Sequence, residues 1–390
     1  MIQHCPTPTE LDDLELLVSG AYAPSTRFNE PGSAVTLELP DGATEAELVD
    51  PEGLPLARVS PDGSLHALTH AQFGPFRRLH LTPAQVREQH AGATFVPVTD
   101  ALSDAELAEL RGLGRVVLLA LSGTGTAALS PAALVRATLA AADLLDGASV
   151  VAVPLPSHGD ADIDHELGVR VVGNYAAGDP VHGLAGAPDS PLPTAIAAIA
   201  DEDRPDPEEQ GLVLFFTGLS GSGKSTLARA LMDLLLEQGG RSVTSLDGDV
   251  VRRHLSAGLT FSKADRETNI RRIGWVAAEI ARHGGVAVCS PIAPFAETRE
   301  QVQEMVEAAG GAFFLVHVAT PLEECERRDR KGLYAKARRG EIPEFTGISS
   351  PYEEPEDAAI RVDTTGRSIE DALDDVLVAL AEAGHLDLTA

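Results

Sequence analysis

The sequence has little cysteine, few aromatic residues and few basic residues. Its 390 residues include three cysteines, 4% aromatic residues, and 30 Lys plus Arg against 59 Asp plus Glu. Cys5, Cys289 and Cys325 are far apart and form no CxxC pair, so neither a disulfide framework nor a cysteine zinc site is encoded. We therefore expect a reducing, cytoplasmic environment.

The deficit of basic residues limits the possible partners. A formal net charge of -29 repels nucleic-acid backbones and anionic membrane surfaces, so neither is expected as a partner. The N-terminal residues lack a basic segment followed by an apolar one, and no apolar run is long enough to span a bilayer. No export or membrane insertion is expected, whereas a small anionic substrate could bind wherever basic residues are concentrated.

The length predicts two or three domains, and the apolar pattern indicates where they begin and end. Residues 1–95 carry short apolar runs split by Pro, Gly and Asp, which predicts a small β-rich domain. Residues 96–200 predict a βαβ unit, and the acidic, proline-containing run 201–210 predicts a linker. Residues 211–390 alternate strand-length apolar runs with helices, which predicts an α/β fold with a parallel sheet covered on both faces.

A phosphate-binding loop follows the first predicted strand of the C-terminal domain. Residues 218–225, GLSGSGKS, satisfy G-x-x-x-x-G-K-[ST] and open a predicted helix. The glycines let backbone N–H groups turn toward phosphate oxygens, Lys224 reaches the β and γ phosphates, and Ser225 ligates Mg²⁺. A chance match in a Gly/Ser-rich turn is the alternative, and the flanking strand, helix and lysine argue against it. The predicted ATP-binding residues of this loop are Gly218, Ser220, Gly221, Ser222, Gly223, Lys224, Ser225 and Thr226.

The next predicted strand ends in two aspartates and leads into a basic cluster. Asp247 and Asp249 are expected to face the phosphate-binding loop, where one could orient or deprotonate a hydroxyl and one could hold Mg²⁺ through water. The basic cluster that follows contains Arg252, Arg253, Phe261, Arg266, Asn269, Arg271 and Arg272. Spacing alone leaves open a solvated helix face on which the arginines pair with Glu267 and Glu279.

Residues 211–385 closely resemble the adenylyl sulfate (APS) kinase family. The matching segments are GLSGSGKST, LDGDVVR, FSKADRETNIRRIG, PIAPF, TPLEECERRDRKGLYAKARRGEIPEFTGISSPYEEPE and the closing DTT. The resemblance implies a P-loop NTPase-type fold that transfers the γ-phosphoryl group of ATP, with Mg²⁺, to the 3′-hydroxyl of APS. The product would be 3′-phosphoadenylyl sulfate, which places the reaction in sulfate activation.

The resemblance also implies roles for individual residues. Arg252, Arg266 and Asn269 would hold the phosphosulfate, and Phe261 and Phe345 would sandwich the APS adenine. The implied APS-binding set is completed by Ser290, Pro291 and Ile292. The implied catalytic residues are Lys224, Asp247, Asp249, Lys331 and Lys336, with Ser225 and Asp247 at the metal. Residues 330–348 resemble a mobile lid that carries the last two lysines, and Arg328 is similar to an arginine that lies against the ATP base.

Two positions depart from the family pattern in the segment SPIAPFA, residues 290–296. Ala293 stands where many family members have a serine that can be phosphorylated, which excludes a phosphoenzyme at this position and leaves direct in-line transfer. Ala296 stands where the family has an arginine, so one possible anion contact is weakened, and Arg299 remains.

The N-terminal half resembles ATP sulfurylases. The segments similar to their PUA-like domain are residues 14–28, 47–59 and 79–87. The βαβ stretch resembles their nucleotidyltransferase domain more weakly. Active members carry Q-x-R-N-P-x-H-x-x-H, whereas this chain has AALSPAALVR at residues 127–136, with Ala133 and Arg136 nearest the missing histidines. The resemblance implies a degenerate site, because alanine cannot stabilise the charge that develops on the α-phosphate.

Two further patterns in this half mimic ligand sites. Residues 123–128 imitate a dinucleotide fingerprint, but no acidic residue ends the strand that follows. Asp160, Asp162 and Asp164 have EF-hand spacing, but His165 replaces the required glycine and Val171 the twelfth-position ligand. Neither a dinucleotide nor a calcium site is expected.

The favoured interpretation is an APS kinase whose N-terminal half is a structural, assembly or regulatory module. A bifunctional sulfurylase and kinase is one alternative, and a catalytically inactive nucleotide sensor is another. The expected small-molecule partners are ATP and APS. A homo-oligomer is also expected, with association with other sulfate-activation enzymes as a further hypothesis.

Overall fold

The computed structural model describes residues 2–72, 74–125 and 129–386, and the chain divides into two compact units, Met1–Arg204 and Pro205–Ala390. Among the described residues, no helix is long and apolar enough to cross a membrane. The boundaries predicted inside these two units remain predictions.

A four-stranded sheet opens the first unit. Its strands are β1 (Ile2–His4), β2 (Ala46–Val49), β3 (Pro55–Val59) and β4 (Leu65–Ala67), in the order β1-β2-β3-β4. β1 runs parallel to β2, and the other neighbours are antiparallel. Helices α1 (Pro8–Ser19) and α2 (Pro83–His90) accompany it. Sequence analysis did not predict α1, although Thr7 and Glu10 form a reciprocal capping box at its start and Gly20 ends it with φ 79°.

A three-stranded parallel sheet completes the first unit. It consists of β5 (Thr94–Val98), β6 (Val116–Leu121) and β7 (Ser149–Val153), in that order. Its helices are α3 (Asp104–Leu110), α4 (Pro131–Asp143), α5 (Ala161–Ala176) and α6 (Thr194–Asp203). α4 begins as the sequence predicts, with Ser130 as the N-cap and proline as the first residue. α6 includes residues 201–203, the first three residues of the acidic run that was predicted as a linker.

The two sheets of the first unit share one apolar core. Leu16 on α1, Leu48 on β2 and Leu119 on β6 are all fully buried in it. A second core lies on the other face of the parallel sheet, where Leu118 packs with Leu134 of α4. Because β6 is buried on both faces, it reads as a continuous apolar run rather than an alternating one.

The second unit is built on a five-stranded, all-parallel sheet. Its strands are β8 (Leu212–Thr217), β9 (Val243–Leu246), β10 (Val286–Cys289), β11 (Ala312–Val318) and β12 (Ile360–Val362), in the order β12-β11-β8-β10-β9. The helices are α7 (Lys224–Gln238), α8 (Gly248–His254), α9 (Lys263–Arg282), α10 (Ala296–Ala308), α11 (Leu322–Arg328), α12 (Leu333–Arg338) and α13 (Ile369–Glu382).

Both faces of this sheet are covered, which confirms the predicted α/β architecture. Phe215 packs in one core with Ile273 of α9 and Val302 of α10. Its neighbour Phe216 points to the opposite face and packs in the other core with Leu231 of α7. The carboxyl ends of β8, β9, β10 and β11 therefore open on one edge, where parallel sheets bind their ligands.

Candidate active site

The loop between β8 and α7 has the conformation that its glycines predict. Gly218, Gly221 and Gly223 have φ angles of 144°, 78° and 104°, a region that side chains disfavour. A Cβ at Gly218 would also lie 2.4 Å from the Val318 carbonyl oxygen, and one at Gly221 would lie 3.2 Å from that of Cys325. The loop is thus pressed against the ends of neighbouring segments, and glycine is required by both conformation and space.

Lys224 is the first residue of α7 and is buried, with 7% of its surface exposed. Its Nζ donates a hydrogen bond of 2.8 Å to the Leu219 carbonyl oxygen of the same loop. Burial lowers the pKa of Lys224 to about 8, while the carboxylates of Asp247 and Asp249 act in the opposite direction. The Lys224 ammonium therefore lies inside the phosphate-binding loop, where it binds the Leu219 carbonyl oxygen.

Three oxygen-bearing side chains from three elements meet beside this loop. Ser290, which follows β10, donates from Oγ to Asp247 Oδ2 at 3.2 Å, and Ser225 Oγ lies 3.5 Å from the Ser290 hydroxyl. Asp247 also caps α8 by accepting from the backbone N–H groups of Asp249 and Val250. Burial raises the pKa of Asp247, but hydrogen bonds from Ser225, from these N–H groups and from Ser290 outweigh it and hold the pKa below its usual value.

These groups fit Mg²⁺. A hydroxyl and an ionised carboxylate are hard oxygen donors, and Mg²⁺ at nucleotide sites is bound by one or two such groups together with substrate phosphates and water. The described residues contain no group of three or more His, Cys, Asp or Glu that could hold a metal by themselves. The arrangement of Ser225 and Asp247 therefore suits a cation that arrives with a nucleotide.

Asp249 and Lys331 form an ion pair, with Nζ 2.5 Å from Oδ2. Both side chains are largely exposed, so solvent screens the pair and its net stabilisation is small. The pair nevertheless brings the lid segment to the second aspartate. Lys336 lies exposed on α12, and in the described part of the chain no ion pair joins it to either aspartate.

Arg328, at the end of α11, lies against the rim of the phosphate-binding loop. Its guanidinium donates to the Thr364 hydroxyl at 2.8 Å and to the Thr364 carbonyl at 2.9 Å, and its Nε pairs with Glu324. Thr364 and Thr320 each donate to the Ser222 carbonyl of the loop at 2.9 Å. Sequence analysis missed these two threonines as loop supports, although both occur in the quoted segments.

The Tyr334 hydroxyl is a further support that sequence analysis missed. It donates a hydrogen bond of 2.8 Å to the Ser220 carbonyl oxygen of the loop. The Tyr334 ring also meets the Phe345 ring edge-on, with centroids 5.0 Å apart. The lid segment therefore contacts the phosphate-binding loop, residues 218–225, through the Tyr334 side chain, and it carries the predicted adenine contact Phe345 beside that ring. We call this phosphate-binding loop the donor loop.

The first part of the basic cluster forms a cation–π pair. The Arg252 guanidinium lies 4.4 Å from the centre of the Phe261 ring and donates to the Thr260 carbonyl at 3.0 Å. Phe261 is 67% exposed, which leaves a ring face open to solvent. The Phe261 and Phe345 rings make separate contacts, so the adenine sandwich remains a prediction.

The second part of the cluster lies on α9, where Asn269 is buried and Arg266 is half-buried. Arg266 donates to the hydroxyls of Thr346 and Ser350 at 2.9 and 3.1 Å. Arg266 Nε and the buried Asn269 Oδ1 have no hydrogen-bond partner among the described residues. Because buried polar groups are nearly always paired, these atoms mark a place where a polar ligand would fit.

The solvated-face alternative for the arginines predicted pairs with Glu267 and Glu279. In the described residues Glu267 instead lies 3.7 Å from Lys263, and Glu279 lies 3.3 Å from Arg282. The arginines of the cluster use other partners: Arg272, for example, donates to the Leu255 carbonyl. Glu267 and Glu279 are thus paired with residues outside the predicted anion-binding set.

Residues 290–292 contact two neighbouring parts of the site: Thr217, which precedes the donor loop, and Gly248, which lies between the two aspartates. The Ile292 carbonyl accepts a 2.6 Å hydrogen bond from the Thr217 hydroxyl at the end of β8. Pro291 packs against Gly248, because a Cβ added at Gly248 would lie 3.4 Å from the Cα of Pro291. The structure therefore gathers most of the predicted site residues at one edge of one sheet.

This fold and site define a P-loop nucleotide-binding unit of the kinase type. Residues 210–363 match the family model for adenylylsulphate kinase. In its C-terminal part, the chain belongs to the adenylylsulphate kinase family. This agrees with the family resemblance of the sequence.

Relatives extend the comparison. A sulfate adenylyltransferase of Aspergillus terreus is 47% identical over 195 residues, which cover 50% of this chain and 34% of that protein. The chain thus spans about a third of the length of the curated relatives it matches. A hexameric APS kinase from Thiobacillus denitrificans covers 100% of this chain and 94% of its own, with a TM-score of 0.74 and 27% identity. An APS kinase of Mycobacterium tuberculosis, solved with AMPPNP and APS, is 46% identical over 44% of this chain and 98% of its own, with a TM-score of 0.42.

The buried position of Lys224 predicts a pH-dependent nucleotide affinity. Because its pKa is lowered to about 8, the side chain of the free protein loses its proton as the pH rises through that value. The affinity for a non-hydrolysable MgATP analogue should therefore fall above pH 8, by up to about tenfold per pH unit. Lys224→Met should bind more weakly and without this dependence. Calorimetric titrations from pH 6.5 to 9.5 measure both, and a wild-type affinity that stays constant to pH 9.5 would contradict the assignment.

Proposed function

We propose that this protein transfers the γ-phosphoryl group of ATP to the 3′-hydroxyl of APS, giving ADP and 3′-phosphoadenylyl sulfate. The observation that carries the proposal is the convergence, at one sheet edge, of a phosphate-binding loop, an ionised aspartate and a basic cluster in which Arg266 Nε and Asn269 Oδ1 are buried without a partner. At the coarser level, the family match and the sulfate adenylyltransferase relatives support a role in sulfate activation.

The donor side follows from the loop. Backbone N–H groups of the loop and the Lys224 ammonium would bind the β and γ phosphates, and Arg328, which contacts Thr364 at the rim of the loop, would contact the ATP base. Ser225 and Asp247 would hold Mg²⁺, which would neutralise charge on the β and γ oxygens when bound. Positioning and electrostatic stabilisation then supply most of the rate, as is general for phosphoryl transfer.

The acceptor side follows from the cluster. Arg266 and Asn269 offer buried groups that need partners, and with Arg252 they would hold the phosphosulfate through charge-assisted hydrogen bonds. Asp247 accepts hydrogen bonds from hydroxyls and from the backbone N–H groups at the start of α8, whereas the Asp249 side chain is largely exposed. We assign Asp249 to the attacking 3′-hydroxyl, with Lys331 and Lys336 brought to the phosphates by the lid.

The transfer would be direct. Ala293 is fully buried and has no hydroxyl, so no phosphoenzyme can form at that position. The acceptor oxygen attacks the γ phosphorus, the bond to the β-bridging oxygen breaks, and the acceptor proton leaves to a carboxylate or to solvent.

We further propose that the N-terminal half does not make APS. Ala133 is buried in the core, and Arg136, the remaining cation of the altered signature, pairs with Glu202 on α6 at 2.7 Å. Ala127 and Ala128 lie outside the described residues. His158 is held between Asp13 and Asp164, at 3.1 and 3.3 Å, and is thus engaged within the unit.

Assembly and location complete the proposal. The solved relative from Thiobacillus denitrificans is hexameric by its description and is similar to this chain over its whole length. A homo-oligomer is therefore proposed here, in a cytoplasmic location that suits three free cysteines. Sedimentation velocity of the purified protein tests the oligomeric state.

A coupled assay of ADP formation tests the reaction. Wild-type protein with MgATP should form ADP when APS is added and very little without it, and Lys224→Ala should lower turnover by at least tenfold because it removes the buried cation at the loop. A nucleotide sensor would bind ATP without APS-dependent turnover. That result, or a Lys224→Ala variant that keeps more than about a tenth of the activity, would overturn the assignment.

Phe261→Ala and Phe345→Ala should each weaken APS binding by about 1 to 3 kcal/mol and leave the affinity for an ATP analogue nearly unchanged. The physical reason is the loss of one stacked face on the adenine. Trp275→Ala is a matched control, since Trp275 is 61% exposed on α9 and lies outside the predicted site. Equal losses for both ligands, or no loss for APS, would show that the sandwich is misplaced.

Sulfate-dependent release of pyrophosphate from MgATP should be undetectable. Adenylyl transfer to sulfate needs cations at the sulfate and at the departing pyrophosphate, and the altered signature keeps one cation, Arg136, which pairs with Glu202. Release measured with purified protein, with and without sulfate, checks this. A signal that survives Lys224→Ala would instead identify the N-terminal half as a working sulfurylase and favour the bifunctional alternative.

A further inference from the structure

Three segments meet at a single buried hydroxyl. Thr217 is the last residue of β8 and has no exposed surface. Its Oγ1 lies 2.6 Å from the Ile292 carbonyl oxygen, 3.3 Å from that of Ala293 and 3.0 Å from the hydroxyl of Tyr352. The donor loop begins at the next residue, Gly218, so this hydroxyl joins the donor loop to the acceptor loop, residues 290–295, and to the segment that follows the lid.

The direction of these hydrogen bonds is fixed by the number of protons. Thr217 has one hydroxyl proton, and only a donor can bind a carbonyl oxygen, so that proton goes to Ile292 and Ala293. Tyr352 must then donate to Thr217. Burial raises the pKa of Tyr352 to about 12, so its proton is retained at neutral pH.

The acceptor loop has a conformation that needs such support. Ala293 has a φ of 45°, which costs free energy for any residue with a side chain, and it is completely buried. Its carbonyl also accepts from Arg299 Nη1 at 2.8 Å, and Arg299 is itself only 4% exposed. The loop is thus held from β8 on one side and from α10 on the other.

The segment after the lid is attached to the same loop. The Glu353 N–H donates to the Pro294 carbonyl at 2.8 Å, and the Glu353 carboxylate accepts from the Ala296 N–H at 2.7 Å. Two residues before Tyr352, the Ser350 hydroxyl accepts from Arg266. The His317 ring, whose residue pairs with Thr217 across β11 and β8, lies 5.8 Å from the Tyr352 ring.

We propose that Thr217 and Tyr352 are positioning residues that fix the acceptor loop and the segment after the lid relative to the donor loop. The inference rests on the proposed phosphoryl transfer to APS. Neither residue belongs to the predicted ATP-binding or APS-binding set. Both act through Ile292 and Ala293, which lie next to Ser290 and its hydrogen bond to Asp247.

The proposal predicts a selective kinetic effect. A small displacement of the acceptor loop would misalign the 3′-hydroxyl and the γ phosphorus, and misalignments of about 1 Å can cost around a hundredfold in rate. Tyr352→Phe removes one hydroxyl and should lower kcat/KM for APS about tenfold. The affinity for a MgATP analogue should change less than twofold, because the N–H groups of the donor loop are untouched.

The experiment compares five variants with wild type in the coupled ADP assay. Thr217→Val should lower kcat/KM for APS at least as much as Tyr352→Phe, and the double variant should be no worse than Thr217→Val, because both changes break the same chain of hydrogen bonds. Thr217→Ser keeps the hydroxyl and should restore activity close to wild type. The fifth variant, Tyr175→Phe, removes another buried tyrosine hydroxyl, bound to the Leu81 carbonyl at 2.9 Å in the first unit, and should leave the kinetics unchanged.

Three results would overturn the positioning role. They are kinetics of Tyr352→Phe equal to those of Tyr175→Phe, losses in the double variant that multiply, and a Thr217→Ser variant as impaired as Thr217→Val. A wild-type protein without APS-dependent ADP formation would instead contradict the proposed function. The two failures are therefore distinguishable.

Discussion

The tight fit of the donor loop among its neighbours is the constraint on which the second unit depends. A side chain at Gly218 would collide with Val318 of β11, and side chains at Gly221 and Gly223 would crowd Cys325 of α11 and Thr364 after β12. The donor loop is therefore in close contact with β11, with α11 and with the segment after β12. The carbonyls of Gly221 and Ser222 accept hydrogen bonds from an arginine and from two hydroxyls, which hold the loop in its conformation. Preorganisation of this kind avoids reorganisation when a nucleotide binds.

The distribution of charged residues also suits the site. The chain carries a net charge of -29, yet the site combines a buried lysine, the arginines of α8 and α9, and one ionised aspartate. The acidic surplus elsewhere disfavours polyanionic partners, while the local concentration of cations suits small anionic nucleotides. Specificity for a small substrate is thus compatible with a strongly acidic protein.

The parallel sheet of the first unit carries different side chains near its carboxyl ends. β5, β6 and β7 run parallel as β8 and its neighbours do, but two of the polar side chains described near them pair with partners inside the unit. Arg136 pairs with Glu202, and His158 lies between two carboxylates. Function depends on side chains that are left available at the edge of the sheet, and a shared fold does not supply them.

The donor loop, the α/β alternation of the second unit and the family of its C-terminal part could be predicted from the sequence, because these depend on local spacing and on long matching segments. The Thr7 and Glu10 capping signal of α1 is also local to the sequence. In contrast, the contact of Arg266 with the lid, the support of the loop by Thr364 and the joining of three segments by Thr217 are visible only in the folded chain. The Thr217 contacts link residues 75 and 135 positions apart, and the Thr364 contact spans 142. No local propensity encodes such separations; they arise when parallel strands bring their ends to one edge.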